Sequence, residues 1–398
     1  MKIEELKYII QSAHINFLYG SGVSRPFLPT LGNIEEYLTR LDKENVKDND
    51  IYNIVRASIY KAYSDGVICP NYNFPYDDPK FIETQKAYAD FFNIWNDIIN
   101  KRNSLLLEKQ INMFTTNIDL IVEETLSNSG LELNDGFRGT LKPSFDESNF
   151  QISLTKSSMQ YHKAAEIPVF NLIKIHGSVN WEAEDRNIRS CSYRCVKLKN
   201  ELDKIQPLNF ISLTKTDPTT SKTVNKTYNE LIKEAEKIKL PKPDVYNDFI
   251  DEYERIVMIN PTKEKFKTSV MDYHFYELMR IYSNALEREN SVLFVMGFSF
   301  ADEHLAQITK RAAATNPTLQ VIIFAYSNDA KESYLHNLGI SGNGSNNNIE
   351  IITPLDFAND NKSEDKKYKK LCENIKNFDL PTINLVFNEI GSQIHSSI

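Results

Sequence analysis

The fold is decided at residues 15–24, which read INFLYGSGVS. The first five residues have the length and composition of a buried strand, and a glycine-rich turn follows directly. Glycines let a backbone turn tightly and approach a pyrophosphate closely, and the N–H groups of such a turn can bind phosphate oxygens. The turn lacks the third glycine of a dinucleotide fingerprint, and no phosphate-binding lysine follows it. Taken alone, it is equally compatible with an ordinary tight turn.

Apolar runs of strand length recur along the chain and alternate with stretches of helical periodicity. Such runs predict further strands at residues 111–115, 150–155, 170–175, 255–259, 292–296, 320–325 and 349–352. The helical pattern predicts helices at residues 34–41, 119–127, 272–289 and 302–314, with two or three more within residues 50–110. Alternation of this kind is typical of an α/β fold, so we predict a Rossmann-like, mostly parallel sheet flanked by helices.

Two insertions separate the segments of this sheet domain. Residues 49–110 predict a helical insertion, and the polar residues 184–253 predict a second insertion or a small helical module. The sheet domain is assigned to residues 1–48, 111–183 and 254–355, and a C-terminal helical segment to residues 356–398. Asn33 is a candidate N-cap for the helix that follows it, and residues 341–345 form a candidate loop.

Composition narrows the class of protein. Hydrophobic residues make up 41% of the 398 residues and charged residues 25%, a balance that excludes wholesale disorder. The net charge of −8 disfavours direct binding to nucleic acid. No apolar run approaches the roughly 20 residues of a membrane-spanning helix, and the acidic N-terminus does not resemble a secretory signal. Four scattered cysteines suit a reducing compartment, so we expect a folded cytoplasmic protein with no membrane partner.

Three more polar turns follow predicted strands directly. They read TTNID at residues 115–119, HGS at residues 176–178 and GFSFAD at residues 297–302. The carboxyl ends of parallel strands are where α/β sheets bind their ligands. Each turn also has a simpler interpretation, because Thr or Asn can cap a helix and a lone histidine is more often structural. Ser299 and Asp302 can likewise either cap a helix or bind ribose hydroxyls.

In this order, the four turns resemble the sirtuin family, whose motifs are Gly-Ala-Gly-x-Ser, Thr-x-Asn-x-Asp, His-Gly-Ser and Gly-x-Ser. The resemblance implies that the chain binds NAD. It implies that Asn117 and Asp119 bind the nicotinamide ribose and position the attacking group, and that His176 is the general base there. The other residues that the resemblance assigns to the NAD site are Gly20, Ser21, Gly22, Ser24, Thr116, Gly297, Ser299, Asp302, Ser327 and Asn328. By this resemblance, the turn of residues 20–24 would line the pyrophosphate and adenosine. Ser327 and Asn328 would contact the adenosine ribose.

Two departures from the family pattern bear on the substrate. Protein-deacylating sirtuins carry a zinc held by two Cys-x-x-Cys pairs, whereas Cys191 and Cys195 are the only close cysteines in this chain. We therefore expect free thiols and no metal. The peptide-binding strand motif of the deacylases is also missing, since residues 184–253 are an insertion of this chain. Both departures put an acyl-lysine substrate in doubt.

What remains resembles the sirtuin-like NAD hydrolases of bacterial antiphage defence, in which water replaces the acyl-lysine oxygen. The resemblance implies cleavage of the nicotinamide–ribose bond to nicotinamide and ADP-ribose, NAD depletion, assembly into a homo-oligomer and a possible partner ATPase of the HerA type. The alternatives are a protein deacylase or ADP-ribosyltransferase with the same residues, and a non-catalytic module that senses NAD or ADP-ribose. A Rossmann-like scaffold whose polar turns are merely caps is the remaining alternative.

Overall fold

The computed structural model describes most of the chain. The described residues are 1–29, 34–44, 49–102, 107–160, 164–185, 187–217, 221–240, 244–259, 269–340, 348–361 and 366–394. Asn33 and residues 341–345, for which a cap and a loop are predicted, lie outside these ranges. Within the described residues, no helix combines the length and the apolar character that crossing a membrane requires.

Helices and strands alternate along the described chain. The helices are α1 (Ile3–Ser12), α2 (Ile34–Glu44), α3 (Asp50–Tyr63), α4 (Pro79–Lys101), α5 (Ile121–Leu126), α6 (Arg194–Asp203), α7 (Tyr228–Ala235), α8 (Asn247–Glu254), α9 (Ser269–Glu287), α10 (Glu303–Thr315), α11 (Ala330–Leu338), α12 (Pro354–Asn361), α13 (Lys366–Asn374) and α14 (Leu380–Gln393). The strands are β1 (His14–Tyr19), β2 (Gln110–Thr115), β3 (Glu132–Asn134), β4 (Phe137–Arg138), β5 (Ser144–Phe145), β6 (Thr155–Ser157), β7 (Ala164–Glu166), β8 (Val169–Lys174), β9 (Gly177–Glu184), β10 (Asn187–Ser190), β11 (Thr214–Thr216), β12 (Thr223–Asn225), β13 (Ile256–Met258), β14 (Ser291–Met296), β15 (Gln320–Phe324) and β16 (Ile349–Ile352).

A parallel sheet forms the centre of the molecule. Seven strands of the described chain pair in the order β16-β15-β14-β1-β2-β8-β3, and every pairing between them is parallel. The predicted α/β, Rossmann-like fold is confirmed. The chain builds the sheet outward from β1 in one direction through β2 and then returns to add β14 on the other side. The carboxyl ends of β1 and β14 therefore flank a topological switch point, where sheets of this kind bind ligands.

Helices cover both faces of the sheet because its strands are apolar on both sides. On one face, α1, α4 and α14 bury an aromatic cluster in which Trp95 lies edge-on to Phe17, with ring centroids 4.9 Å apart, and to Phe387, at 4.8 Å. On the other face, α9 and α10 pack against the sheet, and the hydroxyls of Tyr282 and Thr309 lie 2.7 Å apart between them. The sheet is thus held between two helical layers.

A second unit is built around an antiparallel sheet with the strand order β13-β9-β10-β5-β4. Helices α2, α3, α6, α7 and α8 share one hydrophobic cluster with β9 and β13. Arg194, 1% exposed, pairs there with Glu182 and with Glu252, the latter at 2.8 Å. The N-terminal end of β9 is Gly177, so the chain passes from the parallel sheet to the antiparallel sheet at His176.

Four asparagines form a hydrogen-bonded ladder across the parallel sheet. They occupy matching positions on β1, β2, β8 and β3 and are Asn16, Asn112, Asn171 and Asn134. The amide of Asn112 donates to Asn16 at 2.9 Å, Asn171 donates to Asn112 at 3.0 Å, and Asn134 donates to Asn171 at 2.9 Å. Buried amides are costly unless they are paired, and here each amide satisfies the next across the strands.

Three of the predicted elements need correction. The strand predicted at residues 150–155 is wrong, because residues 147–151 form a 3-10 turn that buries Phe150 and the next strand starts only at Thr155. The strand predicted at residues 255–259 exists as β13, but it pairs with β9 in the antiparallel sheet. Helix α5 begins at Ile121, two residues after the predicted start, with Leu120 at its N-cap, and Asp119 lies in the preceding turn, where it accepts from the N–H of Ile121 at 3.2 Å.

Candidate functional site

The four polar turns lie at the carboxyl ends of the parallel sheet. They follow β1, β2, β8 and β14, which are four adjacent strands in the order β14-β1-β2-β8. Because neighbouring parallel strands end at the same edge, the turns meet across the switch point between β1 and β14. The predicted positions are therefore brought to one edge of the molecule by the strand order alone.

The glycine turn after β1 packs directly on the turn after β14. The N–H of Gly22 donates to the carbonyl of Gly297 at 3.0 Å. A Cβ added to Gly22 would come within 2.7 Å of the Cα of Gly297, and Gly297 itself has a φ of +56°. Glycine is required at both positions because the two backbones touch, a role that the sequence did not predict.

A buried hydrogen-bond cluster joins this turn to the turn after β2. The hydroxyl of Ser24 donates to Asp119 Oδ2 at 3.0 Å, and Asn117 Nδ2 donates to Ser24 Oγ at 3.1 Å and to Gly20 O at 3.2 Å. Ser24, Asn117 and Asp119 are all less than 10% exposed. The hydroxyl of Tyr88, on α4, lies 3.2 Å from Ser24 Oγ. The helical insertion therefore contributes one side chain to this cluster.

Thr115 fixes the backbone from which Asn117 projects. Its hydroxyl donates to the carbonyl of Tyr19 at 2.9 Å and accepts from the N–H of Asn117 at 2.9 Å. Thr115 is completely buried, so water does not compete for these bonds. A threonine at the last position of β2 thus ties the turn to β1.

Lys174 is a buried cation at the centre of the site. Its ammonium group donates to the carbonyl of Asp119 at 2.5 Å and to Ser178 Oγ at 3.0 Å, and it pairs with Glu123. The Lys174 side chain is only 4% exposed. Three elements, the turn after β2, α5 and β9, are therefore fastened to the end of β8 by one ammonium group, which uses all three of its donors.

Burial governs the electrostatics of the cluster. Loss of solvation raises the pKa of Asp119 above its usual value, and the Lys174 ammonium partly opposes this shift. Burial likewise raises the pKa of Glu123, and the Lys174 ammonium partly opposes this shift as well. The pKa values of Tyr19 and Tyr88 lie well above the usual range because both phenols are desolvated, so both remain neutral hydrogen-bonding groups.

His176 pairs with Asp302 across the switch point. Nε2 of the imidazole lies 3.1 Å from Asp302 Oδ2, while Asp302 Oδ1 caps α10 by accepting from the N–H groups of His304 and Leu305 at 3.0 and 3.2 Å. Gly177, with a φ of +78°, lets β13 pass so close that an added Cβ would lie 2.2 Å from Val257 O. The glycine after the histidine is thus needed by the neighbouring strand.

The remaining candidate residues lie toward the surface. Ser21 and Ser299 are exposed, and the carbonyl of Ser299 accepts from Asn337 at 2.8 Å. Asn328 accepts from the N–H of Leu355 at 3.0 Å, so its side chain holds the start of α12. Thr116 and Ser327 are half-buried. These residues border the edge where the turns meet, whereas the buried cluster is formed by the side chains of the first and second turns.

Three site residues were missed by the sequence analysis. They are Tyr88, which contacts Ser24, Lys174, which contacts Asp119, and Glu123, which pairs with Lys174. Lys174 could have been predicted from the sequence, because a lysine within the apolar run at residues 170–175 needs hydrogen-bond or ion-pair partners when that strand is buried. No feature of the sequence predicts the role of Tyr88, since its position on α4 is fixed by tertiary packing.

No cluster of three or more His, Cys, Asp or Glu side chains is arranged to hold a metal ion in the part of the chain that the structure describes. Cys191 and Cys195 are both free thiols there. Burial raises the pKa of the Cys195 thiol to about 12, which disfavours the thiolate that zinc binding requires.

Comparison with known families gives one match, to the C-terminal part of the parallel sheet. A family model described as a SIR2-like domain matches residues 249–342, a segment that runs from α8 to the end of α11 and includes the Gly297 turn. This match supports a Sir2-like family and, in general terms, an NAD-related activity. It does not reach the turns that carry Ser24, Asn117 and His176. No curated protein matches the chain significantly.

Proposed function

We propose that the chain is an NAD hydrolase that cleaves the nicotinamide–ribose bond to give nicotinamide and ADP-ribose. The observation that carries this proposal is that two groups of side chains lie at the same edge of the parallel sheet, at the ends of adjacent strands. One is the buried cluster of Ser24, Asn117 and Asp119, and the other is the His176–Asp302 pair. The SIR2-like match supports NAD as the substrate.

The residues present fit the chemistry of glycosidic cleavage. The bond between C1′ of the ribose and the nicotinamide nitrogen breaks, its electron pair leaves with nicotinamide, and an oxocarbenium-like ribose remains. The buried, oriented dipoles of Ser24 and Asn117 are suited to stabilising this charge without reorganisation. Water then attacks C1′, and its proton passes to His176 as the general base.

Asn117 and His176 are both oriented for these roles. The amide nitrogen of Asn117 already donates to Gly20 O and Ser24 Oγ, which directs Oδ1 as the acceptor for a water or a ribose hydroxyl. When Nε2–H of His176 donates to Asp302, the basic lone pair lies on Nδ1. Asp302 then fixes the tautomer and stabilises the imidazolium, as orienting carboxylates do in other His-dependent enzymes.

The activity is tested by incubating the purified chain with NAD and quantifying both products. Equimolar nicotinamide and ADP-ribose from NAD alone is the expected result. A matched reaction adds an acyl-lysine peptide, which the missing substrate-strand motif predicts to have no effect. Nicotinamide release that depends on the peptide would identify a deacylase instead, and saturable NAD binding without either product would identify a sensor.

We also propose that the hydrolase acts in the cytoplasm as an effector of antiphage defence by depleting NAD. A hydrolase of this kind must be restrained, because constant activity would remove a central cofactor from its own cell. We propose control by homo-oligomerisation and by a partner, with a HerA-type ATPase as the candidate. Holding the active form near 1% requires only about 2.7 kcal/mol. Light scattering combined with NAD turnover tests this, and a fully active monomer tolerated by its host would contradict it.

A further inference from the structure

Helix α4 holds the segment that follows β1 at two points on one of its faces. The N–H of Phe27 donates to Thr84 Oγ1 at 3.3 Å, and one helical turn later the hydroxyl of Tyr88 lies 3.2 Å from Ser24 Oγ. Residues four apart in a helix share a face, so Thr84 and Tyr88 project toward the same segment. Both residues are buried, with 1% and 2% of their surface exposed. The helical insertion therefore packs directly against the turn that carries Ser24.

The hydrogen-bonding capacity of Ser24 determines the direction of its bond with Tyr88. A hydroxyl has one hydrogen and two lone pairs. The hydrogen is donated to Asp119 Oδ2 at 3.0 Å, because an ionised carboxylate only accepts, and one lone pair accepts from Asn117 Nδ2 at 3.1 Å. The second lone pair is left for Tyr88, so the phenol is the donor. Ser24 thus has all three of its hydrogen-bond partners within the protein.

The bond from Tyr88 limits the orientations open to Ser24 and, through it, to Asn117. With both lone pairs of Ser24 occupied, its hydrogen can point only toward Asp119, and its oxygen faces the amide nitrogen of Asn117 as an acceptor. Loss of the phenol hydrogen would free one lone pair and let the hydroxyl rotate, so that Asn117 would lose a fixed acceptor. Desolvation, together with the nearby Asp119 carboxylate, keeps the pKa of Tyr88 well above its usual range. The phenol therefore keeps the hydrogen that it donates.

We propose that Tyr88 is a positioning residue for NAD cleavage, which acts through Ser24 to hold the carboxamide of Asn117 in its reactive orientation. This inference rests on the proposed hydrolase activity and adds to its site a residue from outside the four turns. Misorientation of a group that acts in the transition state lowers the rate of the chemical step more than it lowers ground-state binding. The helical insertion is therefore part of the catalytic unit, because it supplies the donor that completes the buried cluster.

The test measures kcat and KM for NAD cleavage in the wild type, in Tyr88→Phe, in Ser24→Ala and in the variant with both substitutions. Phenylalanine keeps the ring that packs near Tyr19 and Phe92 and removes only the hydroxyl. We expect the kcat of Tyr88→Phe to fall by about three- to tenfold, the worth of one hydrogen bond, while KM changes by less than about twofold. In the Ser24→Ala background the same substitution should cost less than about twofold, because the residue through which it acts is gone.

Tyr282→Phe is the matched control. Tyr282 is a fully buried tyrosine on the opposite face of the sheet, and its hydroxyl lies 2.7 Å from Thr309 Oγ1. This variant should lose stability as Tyr88→Phe does but keep its kcat, and circular dichroism and melting temperatures verify that every variant is folded. Wild-type kcat in folded Tyr88→Phe, or an equally large loss in the Ser24→Ala background, would overturn the positioning role and leave the hydrolase activity standing. A wild-type protein that releases no nicotinamide from NAD would instead refute the hydrolase proposal, and this one with it.

Discussion

His176 Nε2 and Asp302 Oδ2 lie 3.1 Å apart, although the two residues are 126 positions apart in the chain. One follows β8 and the other caps α10 after β14, so the pair spans the edge where β14, β1, β2 and β8 end. Asp302 was a candidate for binding ribose hydroxyls, but its two oxygens already serve a helix cap and an imidazole. We therefore propose that Asp302 positions His176.

The first prediction concerns Asp302→Asn. Asparagine is an equally good N-cap, so α10 should remain stable, but the charge that holds the imidazole is lost. We expect NAD turnover to fall by about 10²-fold or more with little change in melting temperature. Asp302→Ala is the companion variant, since it should lose turnover and also about 1 kcal/mol of stability with the cap. Turnover of Asp302→Asn at the wild-type rate would show that the carboxylate does not orient the base.

The second prediction concerns the buried pair of Lys174 and Glu123. Lys174→Met removes the ammonium and leaves Glu123 and the Asp119 carbonyl without this partner, so the free energy of unfolding should fall by about 3 kcal/mol. Adding Glu123→Gln should restore part of that loss, because the uncompensated charge is then removed. Urea denaturation measures both. Lys199→Met, which breaks an exposed pair with Asp203, is the control and should cost less than about 1 kcal/mol. Equal effects of the two lysine substitutions would contradict the structural role of Lys174.

The third prediction concerns pH. Because burial raises the pKa of Asp119 above its usual 3.8, the folded state keeps the proton to higher pH than the unfolded state does. The stability contributed by this carboxyl is therefore present below its unfolded pKa and is lost as the pH rises through its folded pKa. Relative to Asp119→Asn, the wild type should be most favoured near pH ~4 and progressively less so toward neutrality. Urea unfolding of both proteins across this range tests the sign, and a difference that grows with pH would refute it.

The fourth prediction compares two glycines with positive φ. Gly297→Ala should disrupt the contact with the Gly22 turn, because the added Cβ would lie 2.7 Å from the Val23 nitrogen. Gly130 has a φ of +72° and open space around its Cβ position, so Gly130→Ala carries the backbone strain without the clash. We expect Gly297→Ala to abolish NAD cleavage and to lower the melting temperature well beyond the control. Similar melting temperatures and activities in the two variants would mean that the loop contact is unimportant.

Much of the central sheet could be predicted because its strands are continuous apolar runs that end in glycine or polar turns. The strand at residues 111–115 and the edge strand at residues 349–352 were found in this way, within one residue of β2 and β16. The antiparallel sheet was not found, because its strands are short and partly exposed and their pairing depends on distant segments. Local patterns carry no information about such pairings.

The same physical limit applies to the site. Side chains at strand ends could be identified because the parallel sheet brings those ends to one edge. The contact between Tyr88 and Ser24 could not, because it depends on how α4 packs across the sheet. The asparagine ladder was equally hidden, since asparagine is unfavourable in strands until the neighbouring strands supply its partners. The asparagines pair only because the strands align in this register, and the tertiary structure sets that alignment.

The central claim is tested most directly by measuring NAD cleavage in folded Asn117→Ala and His176→Ala variants beside the wild type. Nicotinamide and ADP-ribose are quantified over time, and circular dichroism verifies that each variant retains its fold. We predict equimolar products from the wild type and rates lower by about 10²-fold or more in both variants, the usual cost of removing a general base. Cleavage at the wild-type rate in either folded variant would contradict the assignment of the site.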